Sequence, residues 1–497
     1  MPCGEDLVVL CCRTRLGEPC LKTYPLECVD LLKRAKAAFQ TGCTTKESFR
    51  LAQLEALVRM LGEHECDFVD ALGRDLHKVW GKVTALCDQH AVVFPCCSTT
   101  LDDCLVVSEP LGVVLIMGTW CSPVLFCLGP LVGAIAAGNC AVISPSEHTS
   151  HTAELLHRLV PSYLDSVSGY KITGKIYLEL KFDHVFFVGN REEGSRVAQA
   201  AARTFTPVTL ILGGKNPCYV DQQCDITATA QRIAWARFHN AGQSVVAPDY
   251  VLCHVDVKTR LVRALKCCLM QFYGSDPRES RSFGRMVNLE IINRTRDMLW
   301  RSGKVAVGGQ VIEAEKYIAP TILTEVVETD PIMQHDVFGP VLPVLTVNTL
   351  DEAITFINKQ EKPLCVYAYS SNSKVISRLM SETSSGSFCS NDSVLQSVMV
   401  GLPFGGVGAS GMGSYHGRYS FDAFSHRKSC LLRGTRFECV TYLRYPPYED
   451  RNLSLMTWAS TLSQKSQGWC QILLVVIQVF CRFSLLCPLS WLHIWPQ

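Results

Sequence analysis

The chain has 497 residues, 48% of them apolar, and a formal net charge of +1. That length carries two or three domains with substantial cores. The near-neutral charge excludes the broad basic field of a nucleic-acid binder and any acidic tail.

In chain order, residues 1–29 are an unpatterned extension, and their start, MPCGEDLVVLCCRTR, has acidic residues and too short an apolar run for a signal peptide. Leu31, Leu32, Ala35, Ala38 and Phe39 then recur at helical intervals, as do Phe49, Leu51, Leu54, Leu57 and Leu61. Two amphipathic helices are expected, ending near Asp75. The stretch from Val79 to Val107 is weakly patterned. From Leu111 strand and helix alternate: strands over Leu111–Met117, Ala141–Ile143 and His184–Val188, with helices over Pro130–Asn139 and Gly194–Arg203. That grammar predicts a parallel α/β sheet. Short strands follow over Val208–Leu212 and Pro217–Val220, then a helix over Ile226–Phe238. The second half repeats the style, with strands over Val305–Val307, Ile318–Leu323 and Val341–Val347 and a helix over Leu350–Asn358.

The 26 cysteines lack the spacing of a disulfide framework, and free thiols in a reducing, cytoplasmic setting are expected. No Cys/His group has zinc spacing, so no metal site is expected. Gly189-Asn190-Arg191-Glu192-Glu193-Gly194 follows a strand and opens a helix. Such a loop lets backbone N–H groups approach a pyrophosphate at a helix N-terminus, although a plain turn explains it equally well.

Phe238-His239-Asn240-Ala241-Gly242-Gln243-Ser244-Val245-Val246-Ala247-Pro248-Asp249-Tyr250 resembles the nucleophile segment of the aldehyde dehydrogenases, most closely class 3, with Val245 where the family has its cysteine. A valine has no lone pair and cannot attack an aldehyde. Leu210-Ile211-Leu212-Gly213-Gly214-Lys215 resembles LELGGK, with Ile211 in place of the glutamate that serves as general base. Thr119-Trp120-Cys121-Ser122-Pro123 resembles TWNYP; Cys121 replaces the oxyanion-stabilising asparagine, a loss that by itself costs about 10²–10³ in rate. Ser144-Pro145-Ser146-Glu147 resembles KPSE, where the ribose lysine has become Ser144 and Glu147 is kept.

Other matches are well kept. Met333 to Pro343 resembles MQEEIFGPVLP; Asp336 aligns with the glutamate on the nicotinamide ribose and Phe338 with the adjoining phenylalanine. Leu402-Pro403-Phe404-Gly405-Gly406-Val407-Gly408 resembles the glycine-rich segment near the substrate tunnel. The resemblance spans about Leu31 to Tyr448. It implies the aldehyde dehydrogenase fold: a Rossmann-like cofactor domain over 30–213, an α/β catalytic domain over 214–391 and a bridging, dimer-forming segment over 392–448. The implied cofactor is NAD or NADP, contacted by Trp120, Glu147, Gly189, Gly194, Asp336, Phe338 and Phe404. Glu192 and Glu193 would weaken it by standing where phosphates sit. Plainer readings remain: Asn240 and Gly242 shape a turn, Phe404 packs in a core, His239 and His416 are ordinary histidines, and Lys215 pairs near the sheet edge.

The implied reaction oxidises an aldehyde to an acid, and this chain has lost the groups that perform it. The expectation is an impaired or inactive homologue; the alternatives are a structural partner of an active relative, or an enzyme with another nucleophile, Cys121 or Ser244. Homodimers, or pairs with an active homologue, are expected. Residues 449–497 form an apolar tail, which at 469–495 is either a membrane-associating segment or a neutral extension: Gln478, Arg482 and Pro488 interrupt it, and no CaaX box follows.

Overall fold

The computed structural model of the chain describes residues 8–13, 19–24, 26–77, 103–165, 180–432 and 445. Contacts divide it into two units, 1–94 with 106–428, and 95–105 with 429–497. The segment 79–102 and the tail at 469–495 lie outside the described residues. Among the described residues no helix is long and apolar enough to cross a membrane, no group of three or more His, Cys, Asp or Glu could hold a metal, and the cysteines whose side chains are described form no disulfide.

The elements that build the site come in chain order. β1 (Val8–Arg13) and β2 (Pro19–Tyr24) pair antiparallel. Then come α1 (Leu26–Gln40), α2 (Glu47–Glu63), α3 (Glu65–Leu76), β3 (Asp103–Pro110), β4 (Val113–Met117), α4 (Pro123–Ala137), β5 (Cys140–Ser144), α5 (Ser150–Tyr163), β6 (His184–Gly189), α6 (Arg191–Ala202) and β7 (Val208–Leu212). Strands β5, β4, β6 and β7 lie side by side in that order, all parallel, and β17 (Gly411–Met412) closes the edge antiparallel to β7. Their near-continuous apolar runs (VVLIM, CAVIS, VTLIL) suit strands covered on both faces. Alternate residues serve opposite faces. Val113, Leu115, Leu210 and Leu212 join Leu31 and Leu32 of α1; Val114, Ile116 and Ile211 join the larger core that includes α4. The chain runs from β4 outward to β5, then returns across β4 to β6. That reversal opens a crevice at the carboxyl ends of β4 and β6, the general ligand position in such sheets.

The second sheet holds seven strands, in the order β10 (Lys304–Val307), β13 (Thr321–Thr324), β14 (Val341–Val347), β9 (Tyr250–His254), β8 (Pro217–Val220), β15 (Cys365–Tyr369) and β16 (Ser387–Ser390). All its pairings are parallel except β10 with β13. Helix α7 (Ile226–Phe238) connects β8 to β9 and packs on α8 (Lys258–Tyr273), and α9 (Leu289–Trp300) follows.

Several expectations are corrected. The N-terminal extension contains the β1–β2 hairpin, whose VVLCCR run is strand-forming text. Three helices, not two, precede residue 77, because the pattern breaks at Gly42 (φ +71°) and again at His64. The expected strand over Ile318–Leu323 is split at Ala319-Pro320 into β12 (Tyr317–Ile318) and β13; proline has no N–H to continue a ladder. The glycine loop is also shorter than expected. Helix α6 starts at Arg191, so Glu192 and Glu193 sit in its exposed first turn rather than in a loop.

Candidate active site

The segment carrying Val245 begins with an unusual turn. Asn240 (φ +51°), Ala241 (φ +53°) and Gly242 (φ +73°) are left-handed in succession. Glycine is required at the third position, since any Cβ there would strike the Gly339 carbonyl. Non-glycine residues pay for this conformation, and such strain persists only where surroundings fix it. Here they do. Asn240 Nδ2 donates to the carbonyls of Cys121 (3.1 Å) and Gln243 (2.8 Å). Gln243 Nε2 donates to the carbonyls of Asn240 (3.1 Å) and Arg285 (3.0 Å), and its Oε1 accepts from the Val287 N–H (2.9 Å). Past the turn, Asn216 Nδ2 donates to the carbonyls of Val245 (2.9 Å) and Ala247 (3.1 Å). The Tyr367 hydroxyl donates to the Val246 carbonyl at 2.5 Å.

The turn presents Val245 to a cavity of about 410 Å³, within the range of cofactor sites. The cavity lies at the carboxyl ends of β5, β4 and β6. Its lining includes Ser144, Ser146 and Glu147 after β5, Gly189, Asn190 and Arg196 after β6, and Trp120, Val245, Arg294, Asp336 and Phe338. The Trp120 and Phe338 rings meet edge-to-face with centroids 5.9 Å apart. Phe338 is itself left-handed at φ +39°. Burial, reinforced by Asp249, raises the Asp336 carboxyl above its usual range, while Lys215, Arg191 and Arg294 pull the other way. At the amino end of α6, the Asn190 side chain accepts from the Glu193 N–H at 2.8 Å, so one of the first-turn donors is already satisfied from within the chain.

Of the residues singled out from sequence, Trp120, Glu147, Gly189, Val245, Asp336 and Phe338 come together around the cavity. Cys121, Ile211, Gly194 and Phe404 do not line it. Cys121 is 1% exposed and Ile211 0%, both in the apolar core that also receives Val245. Gly194 lies within α6 on its buried face, where a Cβ would meet the Leu212 side chain. Phe404 is buried against Tyr415 and His416. Lys215 Nζ donates to the carbonyls of Ile332 and His335, and burial lowers its pKa to about 8. Sequence reasoning missed the first two turns of α9, which contribute Glu290, Ile291 and Arg294. The available signal was Asn288, an N-cap whose side chain accepts from the Ile291 N–H at 2.9 Å.

The switch-point crevice, the glycine at the end of β6 and the lining carboxylates Glu147 and Asp336 suit a dinucleotide. The position on its wall that should carry the nucleophile, Val245, is apolar. A twin-sheet α/β protein with such a cleft has the architecture of the dinucleotide-binding class. Residues 26–430 match the aldehyde dehydrogenase family, and the chain belongs to that family. It is similar to aldehyde dehydrogenase family 3 member B1 of Homo sapiens, 46% identical over 451 residues that cover 86% of this chain and 96% of the relative. It is also similar to family 3 member A2 of Mus musculus, 42% identical over 90% of this chain and 96% of the relative. Among solved structures, the substrate-bound state of Staphylococcus aureus AldH superposes with a TM-score of 0.80 at 38% identity, covering 87% of this chain and 99% of that one. Membership implies NAD or NADP as the cofactor.

Proposed function

We propose that this chain is an aldehyde dehydrogenase scaffold that holds NAD or NADP without oxidising aldehydes. The observation that carries the reading is Val245 itself: it stands on the cavity wall, on a strained turn held by at least four side chains, and offers no nucleophile. The position expected to supply the base, Ile211, is sealed in the core. Cys121, the other thiol considered, is equally enclosed, and its place in the core gives it no route to a carbonyl held in the cavity.

In this reading Glu147 holds the adenosine ribose and Asp336 the nicotinamide ribose. The pyrophosphate lies at Gly189 and the amino end of α6, although the Asn190 cap and the acidic first turn weaken that contact. Trp120 and Phe338 confine the ring. The cofactor, when bound, would accept hydride. At the family's nucleophile and base positions this chain offers only Val245 and Ile211, neither of which can form the covalent adduct from which hydride leaves or activate water. Domains over 30–213 and 214–391 share the cleft. The exposed apolar side chains Leu395, Val398, Met399 and Leu402 support pairing through the region that follows, with a second copy or an active relative.

The test is aldehyde-dependent NAD(P)H formation beside a thermal shift with NAD. Wild type should be silent yet stabilised by NAD, and Val245→Cys with Ile211→Glu should gain measurable turnover. Turnover by wild type would overturn the proposal.

A further inference from the structure

We infer that Lys215, which lies outside the cavity lining, positions the Asp336 carboxylate and through it the second ribose of the dinucleotide. The inference rests on the dinucleotide reading above.

Lys215 stands on the short connector between β7 and β8. The loop that carries Asp336 and Phe338 packs closely on this connector. A Cβ built on Gly213 would stand 3.1 Å from the Asp336 carboxylate and 3.4 Å from the Phe338 ring. Two residues on, Lys215 Nζ donates to the carbonyls of Ile332 and His335, the second at 2.6 Å. The His335 carbonyl shares a rigid peptide plane with the Asp336 nitrogen and Cα. That bond therefore fixes the backbone from which the carboxylate projects into the cavity.

Other ties on this loop are longer or further along it. Exposed Arg294 reaches the Asp336 carbonyl at 3.5 Å, the outer limit for such a bond. The Val337 N–H reaches the Asp249 carboxylate at 3.4 Å. Arg237 holds the Gly339 carbonyl, three residues past Asp336. Among the described residues Lys215 thus makes the closest side-chain contact with the peptide leading into Asp336, and the contact is a charge-assisted one. The ammonium acts on the carboxylate as well: its charge opposes the burial and the Asp249 charge that work against ionisation of Asp336. Burial lowers the pKa of Lys215 to about 8, so the cation is kept here at a desolvation cost that a neutral side chain would not incur.

Calorimetric titration of the purified full chain with ADP-ribose and with ADP tests the assignment. ADP-ribose carries the second ribose, and ADP ends before it. Wild type should bind ADP-ribose more tightly. Lys215→Met should weaken ADP-ribose about tenfold, as expected for one misplaced hydrogen-bonding contact, and should leave ADP within about twofold. Asp336→Ala should cost ADP-ribose a similar factor, and adding Lys215→Met to it should cost little more, because the lysine acts through the carboxylate. Additive losses, unchanged affinity in Lys215→Met, or equal weakening of both ligands would each overturn the assignment. Should the methionine variant not fold, Lys215→Gln, which keeps two N–H donors on a shorter arm, carries the same comparison. Equal wild-type affinities for the two ligands would show that Asp336 holds no ribose and sink the inference, with the adenosine half of the reading still standing. Silence from both ligands would remove the dinucleotide reading and the inference with it.

Discussion

At Ile211 the chain has exchanged a polar role for a packing one. The side chain is fully buried on β7, opposite Val188 of β6 and beside Gly411 of β17. We expect Ile211→Ala to lower unfolding free energy by about 2–4 kcal/mol, since the cavity left among fixed strands cannot collapse; urea denaturation followed by circular dichroism measures it. A loss below about 1 kcal/mol would mean that the position is still poorly packed, as a vacated catalytic site would be. The substitutions at Val245, Ile211, Cys121 and Ser144 were legible in the sequence because each lies inside a segment that otherwise resembles the family's. Their surroundings were not. The family resemblance implied Gly194 and Phe404 at the cofactor, with core packing weighed beside it for Phe404; in the structure Gly194 stands against Leu212 and Phe404 against Tyr415 and His416, since close helix–strand approach and cofactor approach favour the same small or aromatic residues. Arg294 was invisible because it reaches the cavity from α9, about 50 residues after the Val245 turn, with no motif around it.

At the scale of elements, the turn is held from below by an ion pair that the alternation of strands and helices could not reveal. Arg237, at the end of α7, is 1% exposed and contacts the Asp249 carboxylate at 3.3 Å. It also donates to the carbonyls of Pro248 (3.0 Å) and Gly339. One guanidinium therefore ties α7, the segment after Val245 and the loop carrying Phe338. Breaking a buried pair from one side strands the other charge. Arg237→Met should cost about 3–5 kcal/mol in chemical denaturation, and it should weaken NADH binding as well, because Phe338 precedes Gly339 directly. If stability falls and affinity stays unchanged, the loop is fixed by other contacts. The helices themselves were easier to foresee. Residues 226–238 show a clear apolar stripe and were expected with these bounds, whereas α4 is apolar all round, so only its second half stood out.

At the scale of the whole molecule, one aromatic cluster beside the five-stranded sheet gives stability a pH dependence. The His184 ring meets Phe424 edge-to-face at 5.1 Å, and Phe424 and Tyr415 both pack on Phe186. His416 stacks on Phe404 at 5.5 Å. Burial lowers the pKa of each histidine from 6.5 to about 4. The unfolded chain therefore takes up these protons near pH 6.5 and the folded chain only near pH 4. Stability from keeping the rings neutral is full above about 6.5 and drains away as pH falls toward 4. His184 is 3% exposed, and its Nδ1 has no hydrogen-bond partner among the described residues. Between pH 7 and pH 5 this ring alone should account for about 2 kcal/mol. Half-buried His416 contributes less, because water reaches it. Carboxylates titrate in the same range, so the informative quantity is the difference between wild type and His184→Phe. Urea midpoints from pH 7 to pH 5 should fall less steeply in the variant, by about 2 kcal/mol over that interval once converted to free energy. Parallel curves would show that His184 gains a proton, or a partner for one, inside the folded cluster.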